Sequence, residues 1–223
     1  MTVSQSITGI VASLLVAILI VTAGSSGSIS LQGIPLFAVC GIIGFLLHWT
    51  VFIPSFAFRT EHYFDLTGSL SYVSTVVAAI MLNPSFDIRD IIICLMIVIW
   101  ATRLGSFLFR RIKKDGQDKR FIVMKTKFTW FLMTWTIGGL WVLVTMAAGL
   151  AALTSNITVE LGLIGFVGIA IWIFGFVIEV MADYQKSQFK KNPDNKDLFI
   201  TCLLYTSDAA DEGLGVDLGG RRI

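Results

Sequence analysis

Charge is what this sequence has least of: only 14% of its 223 residues are Asp, Glu, Lys or Arg, against 55% that are hydrophobic. Soluble domains carry about 25% charged residues, so an ordinary water-soluble fold is excluded. The formal net charge of +2 is equally small, and no basic surface for nucleic acid can be built from it. Three cysteines, Cys40, Cys94 and Cys202, have neither metal-ligand nor disulfide spacing. No glycine-rich phosphate loop and no serine, histidine and carboxylate arrangement is present either. The chemistry of this chain is not written in a short soluble-enzyme motif.

What is present is a series of long apolar runs. Six segments, at 7–24, 34–56, 67–82, 91–109, 128–153 and 161–182, approach the length that crosses a bilayer. In lipid each must be helical, because its backbone polar groups have no water to bond. The expected fold is an all-α polytopic membrane bundle of about six helices. The third segment is the shortest, ending at Asn83-Pro84, and the Ser25–Ser28 connection reads as a flexible loop.

Positive charge sets the orientation. Thirteen Lys and Arg fall on one side of the alternating spans: Arg59, then eight between Arg110 and Lys127, then Lys186, Lys190, Lys191 and Lys196. The opposite loops hold only Arg89, and Arg103 lies inside a span. Positively charged short loops stay in the cytoplasm, so the N-terminus is expected inside. The first span has no basic leader and reads as a retained helix. The compact loops point to a bacterial inner membrane, or to the endoplasmic reticulum in a eukaryote.

A second compositional break follows Thr201. Cys202-Leu203-Leu204-Tyr205-Thr206-Ser207 back-translates as TGT CTC TTA TAC ACA TCT, a transposon end used in shotgun libraries. Val216 through Ile223 back-translates as the reverse complement of a flow-cell adapter. Residues 202–223 are therefore expected to be a non-native, disordered tail, and residues 1–201 the membrane domain, cut short at its C-terminal end. The tail holds Asp208, Asp211, Glu212 and Asp217 against Arg221 and Arg222, which leaves 15 basic and 11 acidic residues and a net +4 in the remainder.

Polar residues inside spans are costly, on the order of 2.5–3.5 kcal/mol at a helix centre, and therefore informative. Arg103 sits two turns before Arg110; its side chain either snorkels to the basic interface or reaches into the bundle. Phe107, Arg110, Arg111 and Lys114 continue its face as a basic ridge suited to anionic lipid headgroups or to the phosphates of a nucleotide cofactor. Glu179, Asp183 and Lys186 share one helical face at offsets of 0, 4 and 7. Asp183 and Lys186 can form a simple surface pair, but Glu179 lies a turn deeper and calls for a partner, for which Arg103 is the available cation. His48 reads as an interfacial or hydrogen-bonded core residue. His62 and Asp65, which open the third span, have a better claim to proton chemistry. Gly138-Gly139 and Gly162 through Gly168 read as close helix contacts.

Four motifs in order, Phe64-Asp65-Leu66-Thr67-Gly68-Ser69-Leu70-Ser71-Tyr72, Trp100-Ala101-Thr102-Arg103-Leu104-Gly105, Arg110-Arg111 with Asp115 through Phe121, and Glu179-x-x-x-Asp183-x-Gln185-Lys186, resemble the DUF1295 family of membrane proteins. That family is related to the C-terminal domain of steroid 5-alpha-reductases, and the resemblance covers roughly residues 34–201. It implies an oxidoreductase that uses NADPH to reduce a carbon–carbon double bond in a lipid-like or steroid-like substrate. Carried over by motif, Arg103, Glu179, Asp183 and Lys186 would contribute to the cofactor site, and Asp65 and Tyr72 would border the substrate cavity; no residue takes a catalytic role and no metal is implied. In the family the chain continues past the position of Thr201 into a His- and Asn-containing stretch that supplies much of the cofactor site, so the chain as written is expected to be inactive. More distant relatives are S-adenosylmethionine-dependent isoprenylcysteine and phospholipid methyltransferases, which leaves a methyltransferase or a non-catalytic membrane protein as the alternatives. The expected partners are membrane lipid and a lipophilic small molecule, with no nucleic acid; the sequence does not fix the oligomeric state.

Overall fold

Each long helix begins and ends where its local chemistry directs. In the computed structural model, which describes residues 1–118, 120–189, 191–192 and 195, helix α1 runs Val3–Gly24. It starts a turn before its apolar run because Thr2 and Gln5 form a capping box that satisfies two otherwise unpaired N–H groups. Helix α2 spans Leu36–Ala57 and α3 Phe64–Leu82, which gains Phe64, Asp65 and Leu66 over the 16 residues of its apolar run and so reaches 19. Helix α4, Ile88–Asp115, is extended at both ends: Asp87 and Asp90 form a second capping box, and Lys113 and Lys114 face the negative end of its dipole. Gly116, with φ of +80°, then stops it in the left-handed region that glycine enters without steric cost. A single turn, α5 (Phe121–Met124), precedes α6 (Phe128–Leu153), and α7 covers Leu163–Phe189.

All of these but α5 are long and apolar enough to cross a membrane, six among the described residues, and they coincide with the six expected spans. The tail at 202–223, and Lys119, Lys190 and Lys196 of the basic segments, lie outside the described residues. The chain divides into two compact units, Met1–Glu160 and Leu161–Ile223.

In the first unit α6 packs against α1, α2 and α3, and α4 lies along α3. Trp135, Phe131, Leu150 and Leu153 on α6 are fully buried, with Leu36 and Phe37 from α2 and Val76 and Ala79 from α3. Ile18, Leu19, Ile42, Leu46, Ile53 and Leu95 are exposed. In water so much exposed apolar surface would aggregate, whereas it is the natural face toward acyl chains. His48, 1% exposed, is a core residue as its surroundings suggested: its Nδ1 donates to the Gly44 carbonyl at 2.7 Å, and its ring meets Phe64 and Trp135 edge-on. Gly138 and Gly139 mark close approaches, since a Cβ at Gly138 would stand 2.7 Å from His48 and one at Gly139 3.1 Å from the Phe45 Cα. At Gly162 and Gly168 a Cβ would meet nothing within 4 Å among the described residues, whereas at Gly165 it would stand 2.6 Å from the Leu161 side chain.

The two ends of this unit differ in kind. At one end the connection after α1, expected to be flexible, is ordered: strands β1 (Ser30–Leu31) and β2 (Ile34–Pro35) pair antiparallel, and Ser28 bridges Ser155. The Ile29 N–H donates to the Thr154 carbonyl at 2.8 Å, and Asn83 Nδ2 donates to the Leu153 carbonyl at 2.9 Å. Two carbonyls left over at the end of α6 are thus satisfied by the α1–α2 connection and by the Asn83 side chain, which composition alone does not reveal. The other end carries the basic residues and the clustered carboxylates.

Candidate functional site

The short α2–α3 connection shapes the basic end. Arg59 takes a left-handed φ of +50°, and the Thr60 N–H returns to the Ser55 carbonyl at 2.9 Å. That turn directs Glu61 inward, where it is 3% exposed. One carboxylate oxygen accepts the Lys125 ammonium at 2.7 Å and the other accepts the Asp118 N–H at 3.0 Å. Both oxygens of this buried carboxylate are thus bonded, one of them to a cation. The next residue grips the same connection: His62 Nε2 donates to the Gly116 carbonyl at 2.6 Å. Since a carbonyl only accepts, this contact places a proton on Nε2. Two adjacent residues therefore hold both ends of the segment between α4 and α6.

Asp65 and Arg111 face each other across the start of α3 and the end of α4, with the closest N–O separation 4.0 Å. That is an ion pair at the limit of direct contact and not a tight hydrogen bond. Asp118 is bonded more firmly, its carboxylate accepting from Arg120 Nε at 3.0 and 3.1 Å, from Nη2 at 2.5 Å and from the Arg120 N–H at 2.9 Å. Burial pushes this carboxyl's pKa up, but the Arg120 bonds and the nearby Arg111 outweigh it and hold the group below its ordinary 3.8. A carboxyl lowered on folding stabilises the fold above its unfolded value, and that contribution fades as pH falls through the lower folded value. Unfolding followed between about pH 5 and pH 3 is expected to show a loss of stability that the Asp118→Asn variant lacks. Identical profiles would mean that the Arg120 bonds do not persist in solution.

The residues named from the sequence are distributed unevenly. Arg103 lies in α4 with its guanidinium carbon 5.4 Å from the Phe107 ring centroid, a cation–π contact one turn along the same face. Asp65 belongs to the basic end. Tyr72 lies deeper, 5% exposed, bonded through its hydroxyl to Thr145 Oγ1 at 2.6 Å and stacked edge-on against Trp100. Glu179, Asp183 and Lys186 lie on α7, in the second unit, at the spacing that gives them a common face. Glu61 was passed over in the sequence, and so was its partner Lys125, which counted only as one of many positive charges. The sole hint was an acid between Arg59 and His62 in the short connection.

Arg103, Arg110, Arg111, Lys113 and Lys114 all belong to α4, and their guanidinium and ammonium donors suit phosphate oxygens. Among the described residues no group of three or more His, Cys, Asp or Glu is placed to hold a metal ion. No curated protein and no solved structure matches the chain. The family model for a protein of unknown function, DUF1295, matches residues 51–206, from the second half of α2 onward, where the motifs suggested residues 34–201. That match takes in more than half of the sequence and all the basic-end residues described above. The chain is thus a membrane helical protein that belongs to the DUF1295 family.

Proposed function

We propose that this protein is part of a membrane oxidoreductase that uses NADPH to reduce a carbon–carbon double bond in a lipid-like or steroid-like substrate. The observation that carries this reading is the run of cations along α4, from Arg103 within the apolar span to Lys114 beyond it, beside Glu61 of the α2–α3 connection and Asp65 of α3. A charged dinucleotide belongs in water and a lipophilic alkene in the bilayer, so an enzyme joining them needs an anion-binding end on an apolar bundle.

The residues present fit the cofactor's phosphates in their donor chemistry. Arg103 would face its phosphate or ribose region, and Arg111, only loosely engaged by Asp65, has donors to offer. On α7, Glu179 and Asp183 would accept hydrogen bonds from hydroxyls of the cofactor, with Lys186 a further phosphate donor. When bound, NADPH supplies the hydride. Asp65 and Tyr72 would border the lipophilic substrate, and the apolar helices around them would exclude water from it. The basic end would face the cytoplasm of a bacterial inner membrane, as the lysine and arginine bias favours.

The test is ligand protection. The chain continued past Thr201 by the source gene's own sequence, held in detergent micelles, is expected to unfold at a higher denaturant concentration with NADPH than without it. A ligand at about 100 times its Kd adds about 2.7 kcal/mol. The Arg103→Ala and Asp183→Ala variants are expected to lose that protection while keeping their own stability. Protection by S-adenosylmethionine and not by NADPH would replace this reading with the methyltransferase. Protection by neither would leave a non-catalytic membrane protein.

A further inference from the structure

At the basic end an open cleft of about 170 Å³ lies between the α2–α3 connection and the end of α4. Phe109, Ile112, Lys113 and Gly116 line one wall; they recur at spacings of three, one and three, which places them on one face at the end of α4. His62 and Tyr63, just before α3, line the other. The walls are apolar at depth: Ile112 is 6% exposed, and the Phe109 ring lies beside the Lys113 ammonium at 5.9 Å. The rim is polar. Lys113 is exposed, and His62 is fixed there by its bond to the Gly116 carbonyl. Arg110, also exposed, adjoins Lys113 on the helix surface three positions away, and Lys114 adjoins Arg110 four positions away.

Position decides what such a cleft takes. The apolar run of α4 ends at Phe109 and cations follow from Arg110, so the cleft straddles the level at which hydrocarbon gives way to headgroups. Tyr63, half exposed, stands at this boundary, where amphipathic rings concentrate in membrane proteins. We propose that this cleft binds one anionic phospholipid, its acyl chain against Phe109 and Ile112 and its headgroup phosphate on the Lys113 ammonium. The cations at the rim match a net negative headgroup and repel the ammonium of a zwitterionic one. A soluble phosphate shares the rim chemistry but gains nothing from the apolar walls.

The experiment is native mass spectrometry of the full chain released from micelles containing phosphatidylglycerol, phosphatidylcholine or both. Preferential retention of phosphatidylglycerol is expected. The Lys113→Gln variant should lower that affinity about fivefold, as one cation at an anionic surface contributes about 1 kcal/mol. Lys127→Gln removes a charge at the same end but outside the cleft, and should leave the affinity unchanged. Three results would overturn the proposal: equal retention of the two lipids, an equal loss in Lys127→Gln, or Lys113-dependent displacement of the lipid by glycerol phosphate or NADPH. The second would reduce the preference to diffuse attraction, and the third would assign the cleft to a soluble phosphate. Lys113 is exposed at a helix end, so its replacement leaves the fold intact, and circular dichroism of both variants checks this.

Discussion

Replacing Glu61 with alanine is expected to destabilise the protein by about 3 kcal/mol, the low end of the range for removing one partner of a buried ion pair. Its carboxylate answers two groups at once, the Lys125 ammonium at 2.7 Å and the Asp118 N–H at 3.0 Å. In Glu61→Ala both lose their acceptor, and the Lys125 side chain, 16% exposed, has little water to replace it. The effect is set at the low end because so long a side chain can swing its ammonium outward. Glu61→Gln keeps an acceptor for the N–H and should cost less than Glu61→Ala. In a double-mutant cycle Glu61→Ala and Lys125→Met should be strongly non-additive, because the second substitution removes the cation that the first strands. Unfolding of the four proteins in mixed micelles measures this; additive effects would show that the pair does not form in solution.

Glu61 also shows where the sequence stopped being readable. The spans were legible because lipid imposes one rule on every residue of a segment, and 18 or more apolar positions in a row satisfy it in only one way. The helix ends were less so. Capping boxes at Thr2 and Asp87 carried α1 and α4 beyond their apolar runs, and such caps are local signals that hydropathy averages away. The pairing of Glu61 with Lys125, 64 positions apart, depends on how α2, α3 and α6 meet, which no spacing in the chain encodes. Arg103 and Asp65 were identified through motifs and cost, since a charge in or beside an apolar span stands out. A carboxylate in a basic loop does not, because a solvated surface residue would look the same. For the same reason the Ser25–Ser28 connection read as flexible: its order comes from bonds to Thr154 and Asn156 at the far end of α6.

The contact between α2 and α6 is where one added side chain should do the most damage. A Cβ at Gly139 would lie 3.1 Å from the Cα of Phe45 and 2.9 Å from its ring, and the backbone atom cannot rotate aside. Gly44 faces the same crossing, with an added Cβ 3.5 Å from the Gly139 carbonyl oxygen. The two helices meet nearly backbone to backbone, the arrangement that small residues allow in lipid, where dispersion and not water holds helices together. Gly139→Leu is therefore expected to cost about 3 kcal/mol, the upper part of the usual range for overpacking, by prising α2 from α6. Because His48 and Trp135 lie along the same seam, their contact should loosen too, seen as a shift in tryptophan emission. Gly149→Ala on the same helix is the control. Its new methyl would meet only Ile93 and Ile97 at 3.6 Å, an ordinary contact, while alanine favours the helix by up to about 1 kcal/mol. A neutral or stabilising Gly149→Ala beside a destabilising Gly139→Leu would locate the constraint in the crossing itself; equal losses at both positions would mean that α6 does not pack against α2 as described.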